Sequence, residues 1–200
     1  GLFGASPELL VRVSHKQVSA RVLAGTAGRG TDPGVDFAIS NALAASQKNI
    51  TEHRFAVKSL VDELQKFCSQ VDADSEPFSL QLPNLWHLAS DVHAVLRDDA
   101  SVLDLAAVLH PTAAVAGTPT LEAQKLISEI EPFDRGRYAG PVGWIGADGD
   151  GEWAIALRGA LLNDGQLTAY AGCGIVAESE PEAELDETEL KFKPIREALA

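Results

Sequence analysis

The second half of the chain contains the pattern that most restricts its fold, three apolar segments separated by short turns. The segments span residues 141–146, 152–162 and 166–177, and they are rich in the aliphatic and aromatic residues that favour strands. The turns that join them, Asp148-Gly149-Asp150-Gly151 and Asn163-Asp164-Gly165, both suit tight hairpins. Strands joined by tight hairpins run antiparallel, so an antiparallel sheet should form a large part of the fold.

The rest of the chain alternates between strand and helix patterns. Residues 34–70 have a helical pattern, with apolar side chains on one face at Val57, Leu60, Val61, Leu64 and Phe67. Thr31 or Asp32 before Pro33 predicts the start of that helix. Other predicted elements are strands at 2–13, 17–24 and 85–90, loops at 25–34 and 71–84, and helices at 101–110, 120–130 and 181–199. This order predicts one mixed α+β unit.

The charge balance restricts the partners of the protein. Its net charge of −13 argues against nucleic acid and anionic membranes, because both attract clustered Lys and Arg. An anionic ligand would therefore need local cations or a metal ion. The sequence also lacks an apolar run near the ~18 residues of a transmembrane helix. Cys68 and Cys173 stand alone, without the spacing of a disulfide framework or a zinc site, which favours a reducing, cytoplasmic setting.

A helix over 181–199 would bring Glu184, Glu187 and Lys191 to one face, since residues three and four apart are neighbours. One interpretation is a solvated face, whose Glu-to-Lys pair stabilises the helix by only ~0.3–0.5 kcal/mol. The other is a metal site, because hard cations such as Mg²⁺ take carboxylate oxygens and Glu52 in the long helix supplies a third carboxylate. The second interpretation requires the fold to bring the two helices together.

Two further charged residues and a histidine are candidates for a ligand site. Arg158 has apolar or small neighbours in a predicted strand, so it either faces solvent or binds a carboxylate ligand together with Lys191. Glu8 follows a Ser-Pro turn at a sheet edge. It is interpreted either as an ordinary exposed glutamate or as a carboxylate of the site. His87 lies in an apolar context, where a supporting role is the default. The glycines of 25–30 match neither a P-loop nor a dinucleotide fingerprint, so a nucleotide site is not expected.

Nine segments, in order along the chain, resemble one enzyme family. They span residues 3–10, 23–30, 48–53, 86–90, 109–119, 131–144, 150–158, 170–176 and 184–192, and begin with FGASPELL and LAGTAGRG. On these segments the chain is similar to the chorismate-utilising enzymes, which include isochorismate, anthranilate, aminodeoxychorismate and salicylate synthases.

The resemblance implies an α+β fold with antiparallel β-sheet layers, a β-sandwich core, and flanking helices. It also implies that residues 1–200 are the carboxyl-terminal portion of a single chorismate-binding catalytic domain, whose amino-terminal part is absent. The lack of methionine and a start within a strand pattern agree with that expectation. The whole enzyme is expected to be a monomer, whereas the partial chain can self-associate through edge strands that the missing part would cover.

The resemblance also implies roles for particular residues. It makes Glu52, Glu184 and Glu187 the ligands of Mg²⁺, and Glu8 the general acid. The substrate-binding positions that it implies are Gly25, Thr26, His87, Ala114, Tyr138, Arg158, Gly172, Gly174 and Lys191. Asn49 departs from the family, whose members usually have an acidic residue there, which puts one outer carboxylate contact in doubt.

Ala114 discriminates among the members of the family. Members that go on to an aromatic product typically have threonine at this position, whereas alanine resembles the isochorismate synthases. The expected reaction is Mg²⁺-dependent conversion of chorismate to isochorismate, with water added at C2 and the C4 hydroxyl lost, for menaquinone or catechol siderophore biosynthesis. Anthranilate, aminodeoxychorismate and salicylate synthases are the alternatives. The family's base is a lysine upstream of GASPE, outside this sequence, so a non-catalytic fragment is a further alternative.

Overall fold

The computed structural model describes residues 1–97 and 100–200, and over these residues the chain forms ten strands and six helices. The strands are β1 (Leu2–Gly4), β2 (Leu9–Ser14), β3 (Gln17–Gly28), β4 (Cys68–Ala73), β5 (Phe78–Gln81), β6 (Leu85–Leu96), β7 (Pro141–Ile145), β8 (Gly151–Ile155), β9 (Gly159–Asn163) and β10 (Gln166–Ala169). The helices are α1 (Pro33–Ala45), α2 (Gln47–Phe67), α3 (Val102–Leu109), α4 (Ala113–Ala116), α5 (Thr120–Ile130) and α6 (Pro181–Leu199).

The strands form two antiparallel sheets. Within the described residues, the larger sheet has the order β4-β6-β3-β2-β8-β7, with β5 also paired to β6, and the smaller sheet has the order β1-β9-β10. The longest pairing joins β3 to β6, from Gln17 opposite Val95 to Gly28 opposite Leu85. Antiparallel sheets with helices packed on them confirm the predicted α+β class. The smaller sheet contributes little to the core, since Ala160 is the one buried residue among its described strands.

The core lies between the larger sheet and the helices α2 and α3. The predicted apolar stripe of α2 is confirmed, with Leu64 fully buried and Leu60 6% exposed. Helix α3 adds Leu105, and the sheet adds Val11 and Val92, all fully buried. Burying a Leu side chain stabilises a fold by about 1.5–3 kcal/mol, so this layer holds α2 firmly against the strands.

The long helix predicted at 34–70 is wrong in its continuity, since it is two helices separated at Ser46. Ser46 is extended, and its hydroxyl accepts a hydrogen bond from the Asn49 backbone N–H at 3.4 Å, which caps α2. Asp32 caps α1 by accepting from Gly34 and Val35, which confirms the predicted start. The sequence signal for the break was a serine, which helices also tolerate inside.

The strand predicted at 2–13 is wrong, because it is two strands, β1 and β2, in different sheets. Two predicted loops and one further strand length are also wrong. The glycine-rich segment 25–34 is partly strand, because β3 continues to Gly28. The segment 71–84 contains the end of β4 and all of β5. The strand predicted at 85–90 continues to Leu96. In these last three cases pairing with the long strand β6 or β3 overrides a weak local preference.

The late hairpins are confirmed, but the middle segment is two strands rather than one. β7 pairs with β8 across the 146–150 turn, and β9 pairs with β10 across Asn163-Asp164-Gly165. Between β8 and β9 the chain leaves the larger sheet and enters the smaller one, with Arg158 at φ = 50°. The apolar pattern runs through this crossing, so the sequence alone predicts one strand. The segment predicted as a strand to residue 177 stops pairing after Ala169.

No helix in the described part of the chain is both long enough and apolar enough to cross a membrane.

Candidate active site

A cavity of about 80 Å³ opens where β3 and β6 meet the ends of β2 and β8 and the helices α2, α4 and α6. Its wall includes every predicted substrate-binding residue, together with Glu8 and one predicted metal ligand. These residues are Glu8, Gly25, Thr26, Glu52, His87, Ala114, Tyr138, Arg158, Gly172, Gly174 and Lys191. The fold therefore brings together residues that lie up to 183 positions apart in the sequence.

Glu8 is the most perturbed acid of the cavity. It precedes β2, and its backbone is fixed by hydrogen bonds from the Glu8 N–H to Ser6 Oγ at 3.2 Å and from the Ile155 N–H to the Glu8 carbonyl at 3.1 Å. The residue is 7% exposed, and burial raises the pKa of its carboxyl to about 7, although the nearby positive charges of Arg158 and Lys191 oppose that rise. A carboxylic acid with this pKa holds a proton near neutral pH, which excludes the exposed-glutamate interpretation.

His87 and Arg158 form a fixed pair beside Glu8. An Arg158 Nη2–H donates to His87 Nε2 at 3.1 Å, because arginine only donates. His87 must then carry its proton on Nδ1, which lies 3.2 Å from the Gly25 carbonyl and 3.2 Å from Thr26 Oγ1. Burial and the Arg158 charge lower the pKa of His87 to about 3, so the ring is neutral. His87 thus orients a guanidinium whose Nε is buried without a partner.

Arg158 therefore points into the cavity rather than to solvent. Its position outside both strands, at positive φ, differs from the mid-strand position predicted from sequence. Burial lowers the pKa of Arg158, while the charges of Glu8, Tyr138 and Glu187 oppose that change. A buried guanidinium with a free donor suits a carboxylate ligand.

The three carboxylates predicted to bind metal lie together, with Glu52 in the cavity wall and the other two next to it. Glu52 lies on α2, and Glu184 and Glu187 lie on α6, so the two helices do meet. Burial raises the pKa of Glu52, and the negative charges of Glu187 and Glu184 add to that rise against the opposing effect of Lys48 and Lys191. These carboxylates are therefore close enough to repel one another, as expected of groups that share a counter-ion.

Lysines neutralise this carboxylate cluster. Lys48 Nζ lies 2.7 Å from Glu184 Oε1 and 3.8 Å from Glu52 Oε2, and Lys191 Nζ lies 2.6 Å from Glu187 Oε1. In residues 1–97 and 100–200, no group of three or more His, Cys, Asp or Glu side chains has the arrangement of a metal site. Glu184 Oε2 is nevertheless buried without a hydrogen-bond partner. Carboxylate oxygens are the ligands that a hard divalent cation prefers, and one of those in this cluster is buried without a partner. The cluster therefore has the right chemistry for such a cation, provided that the two lysines leave the carboxylates.

Lys191 lines the cavity and shares a helix face with Glu187, as the sequence predicts. It pairs with Glu187 and also donates to the Gly172 carbonyl at 2.8 Å. Gly174 lies so close to Glu52 that a Cβ at this position would overlap the Glu52 carboxylate, so the position requires glycine. The glycines after β10 thus let the backbone approach both α2 and α6.

Another part of the cavity wall is formed by β3, α4 and an aromatic stack. Gly25 has φ = 83° at a bulge in the β3–β6 pairing, and a Cβ there would lie 3.0 Å from Asn49 Cβ. Asn49 therefore packs behind the Gly25 loop at the start of α2. Tyr138 stacks on Tyr170 with ring centres 5.2 Å apart, and Ala114 faces the same cavity.

Among the site residues that sequence reasoning missed, Lys48 and Cys173 lie next to the carboxylate cluster. Lys48 precedes Glu52 by four positions, the spacing of neighbours on one helix face, so the signal was present. Cys173, expected to be isolated, lines the cavity next to Glu184, and burial followed by the charge of Glu184 raises the pKa of its thiol to about 11. Only the fold reveals Cys173, because no spacing rule connects it to Glu184.

The fold and the composition of this cavity define a chorismate-binding enzyme. The profile of the family described as "Chorismate binding enzyme" matches residues 1–200, and the chain belongs to that family. Among its relatives, isochorismate synthase DhbC of Bacillus subtilis is 42% identical over 199 residues, which make up 99% of this chain and 50% of that protein. The chain spans about half the length of the curated relatives it matches.

Solved structures agree in fold. The crystal structure of DhbC from Bacillus anthracis matches with a TM-score of 0.96 at 42% identity, covering 99% of this chain and 53% of the other. Anthranilate synthase component I from Streptococcus pneumoniae matches with a TM-score of 0.82 at 30% identity, covering 96% of this chain and 42% of the other.

Proposed function

We propose that the chain carries out the chemistry of an isochorismate synthase, converting chorismate to isochorismate in the cytoplasm. The observation that carries this proposal is Glu8, a buried carboxyl with a pKa of about 7, in one cavity with Arg158 and the carboxylate cluster. Chorismate is a dianion that must lose its C4 hydroxyl. The cavity supplies a proton donor for that oxygen and cations for the carboxylates, as the net charge of −13 requires.

In this mechanism Glu8 donates its proton to the departing C4 oxygen as the C–O bond breaks. Water forms a bond to C2, both ring double bonds shift by one position, and the C4–O bond breaks, so one water enters and one leaves. Arg158 and Lys191 hold the substrate carboxylates, and neutral His87 keeps the guanidinium in place. In the family, removal of the proton from the attacking water is assigned to a lysine upstream of the GASPE segment, and no residue of 1–200 is proposed for that role.

Mg²⁺ is part of this proposal. Glu52, Glu184 and Glu187 would hold it, supported by the unpartnered Glu184 Oε2. When bound, the ion would neutralise a substrate carboxylate and the charge that builds up on the bound anion. Direct contact of a substrate carboxylate with Glu184 or Glu187 would otherwise be repulsive.

Ala114 in the cavity wall supports isochorismate as the released product, because its methyl group leaves no hydroxyl at that point of the wall. The stronger structural match to DhbC than to anthranilate synthase component I points the same way. Supply of menaquinone or of a catechol siderophore stays a prediction for the pathway.

The test is to incubate the chain with chorismate and Mg²⁺ and to follow isochorismate by chromatography. Isochorismate as the product supports the proposal, whereas anthranilate, aminodeoxychorismate or salicylate would identify the alternative members. If a longer chain with upstream residues makes isochorismate and residues 1–200 do not, the non-catalytic alternative holds for this chain. No product from either chain would reject the proposal.

Loss of the proposed metal ligands should weaken Mg²⁺ binding. We expect the double substitution Glu184→Gln and Glu187→Gln to weaken Mg²⁺ binding by roughly a hundredfold, because the affinity of a hard cation follows the number of charged ligands. Isothermal titration calorimetry measures the affinity. Glu182→Gln on the exposed face of α6 is the matched control and should leave it unchanged. Equal Mg²⁺ affinity in the double variant would rule out these carboxylates as the ligands.

A further inference from the structure

Lys48 occupies an unusual position for a lysine. It lies in the first turn of α2, one turn before Glu52, and its side chain is only 21% exposed. Its ammonium lies 2.7 Å from Glu184 Oε1 and 3.8 Å from Glu52 Oε2, so it joins the two helices that carry the carboxylate cluster. The mechanism proposed above makes no use of this residue.

An ammonium group and a divalent cation compete for the same oxygens. Glu184 gives Oε1 to Lys48, while its Oε2 is buried without a partner. A hard cation that takes Glu52 and Glu184 as ligands needs the oxygen lone pairs that Lys48 now contacts. Lys48 and the metal therefore cannot both be bound at these distances.

The two lysines of the cluster are not equivalent. Lys191 is anchored by the Gly172 carbonyl in addition to Glu187. Lys48 instead is held by its ion pairs with Glu184 and Glu52, and no backbone carbonyl of the described residues accepts a hydrogen bond from it. Its place at the amino-terminal end of α2, where the helix dipole disfavours a positive charge, further favours its departure.

We propose that Lys48 is an internal counter-ion that holds the carboxylate cluster together without metal and that a divalent cation must displace it. Lys48 thereby lowers the affinity of the site for Mg²⁺. This inference rests on the proposed function only in that the cluster is the metal site. It makes Lys48 a positioning residue that sets metal affinity without touching the substrate.

The test compares Mg²⁺ affinity in the unsubstituted chain and in Lys48→Met by isothermal titration calorimetry. Because the competing charge is gone, we expect Lys48→Met to bind Mg²⁺ on the order of tenfold more tightly. Lys48→Arg keeps the competing charge and should stay close to the unsubstituted chain. Lys58→Met is the matched control, since Lys58 is an exposed lysine of the same helix that pairs with Asp62 four residues on.

Thermal melting gives a second readout on the same variants. In chelator, Lys48→Met should melt below the unsubstituted chain, because the carboxylates then face one another without a counter-ion. Added Mg²⁺ should raise its melting temperature by more than it raises that of the unsubstituted chain. A structural role for the Lys48 stem alone would lower both melting temperatures equally and leave the Mg²⁺ affinity unchanged.

The outcomes separate this inference from the proposed function. Unchanged or weaker Mg²⁺ binding in Lys48→Met overturns the inference, even where isochorismate is formed. Tighter binding supports it, even where no isochorismate is formed by any chain, a result that would reject only the proposed function. Absence of Mg²⁺ binding in every variant overturns both the inference and the metal part of the proposed function.

Discussion

Glu8→Gln is expected to lower isochorismate formation by about 10²–10⁴-fold, the usual contribution of a general acid. Glutamine keeps the size and the burial of Glu8 but has no proton to give to the C4 oxygen. Mg²⁺ affinity should stay close to that of the unsubstituted chain, because Glu8 is not one of the three carboxylates proposed to hold the ion. Turnover is measured in the shortest chain that forms isochorismate. Retention of more than about a tenth of the activity would remove Glu8 from the acid role.

The same substitution should change how stability depends on pH. The pKa of Glu8 rises from an ordinary 4.5 to about 7 on folding, so the folded chain binds the extra proton between these values. Stability from this group is complete below the unfolded pKa and is lost as the pH rises through about 7. Above that pH, Glu8→Gln should be more stable than the unsubstituted chain by on the order of 3 kcal/mol.

Urea unfolding at acidic and at mildly alkaline pH measures this difference. Glu76→Gln is the control, since the Glu76 side chain is 74% exposed beside Arg54. Its stability should follow that of the unsubstituted chain at every pH. A Glu8→Gln variant that is destabilised equally at both pH values would show that folding does not raise the pKa of the Glu8 carboxyl.

Arg158→Met is expected to raise KM for chorismate by roughly a hundredfold, because loss of one partner from a buried charged pair costs about 2–5 kcal/mol. The variant loses the donors that face the cavity and leaves the His87 Nε2 without its partner. The positive charge of Arg158 also lowers the pKa of Glu8, so its removal should raise that pKa. The alkaline limb of the kcat profile should then move to higher pH.

Steady-state kinetics over a pH series test both effects. Arg137→Met, on the exposed side of the segment before Tyr138, is the control and should change neither KM nor the pH profile. Arg158→Lys keeps the charge but not the planar fork of the guanidinium. Compared with Arg158→Met, its pH profile should therefore be closer to that of the unsubstituted chain, while its KM should stay raised. An unchanged KM in Arg158→Met would exclude this guanidinium from carboxylate binding.

Local chemistry predicted the hairpins, the apolar stripe of α2 and the cap at Asp32, because each depends on residues within one or two turns. Local patterns gave the wrong strand bounds where pairing between distant segments sets them. This occurs at residue 28, where β3 continues along β6, and at Arg158, where the chain passes from one sheet to the other. Residue identities drew attention to Glu184, Glu187 and Arg158, but their roles came from the resemblance. The pairing of Lys48 with Glu184 required the structure, since the two residues lie 136 positions apart.

Because α6 is the last element of the chain, the cavity is completed only at the end of synthesis. Strands β2, β3 and β6 and the helix α2 can pack as soon as they leave the ribosome, since domains form as the chain emerges. The cavity that they line then holds Glu8, Glu52 and Lys48 without Glu184, Glu187 or Lys191. A chain stalled before residue 184 therefore lacks the charged groups of α6 that face Lys48 and Glu8 in the folded protein.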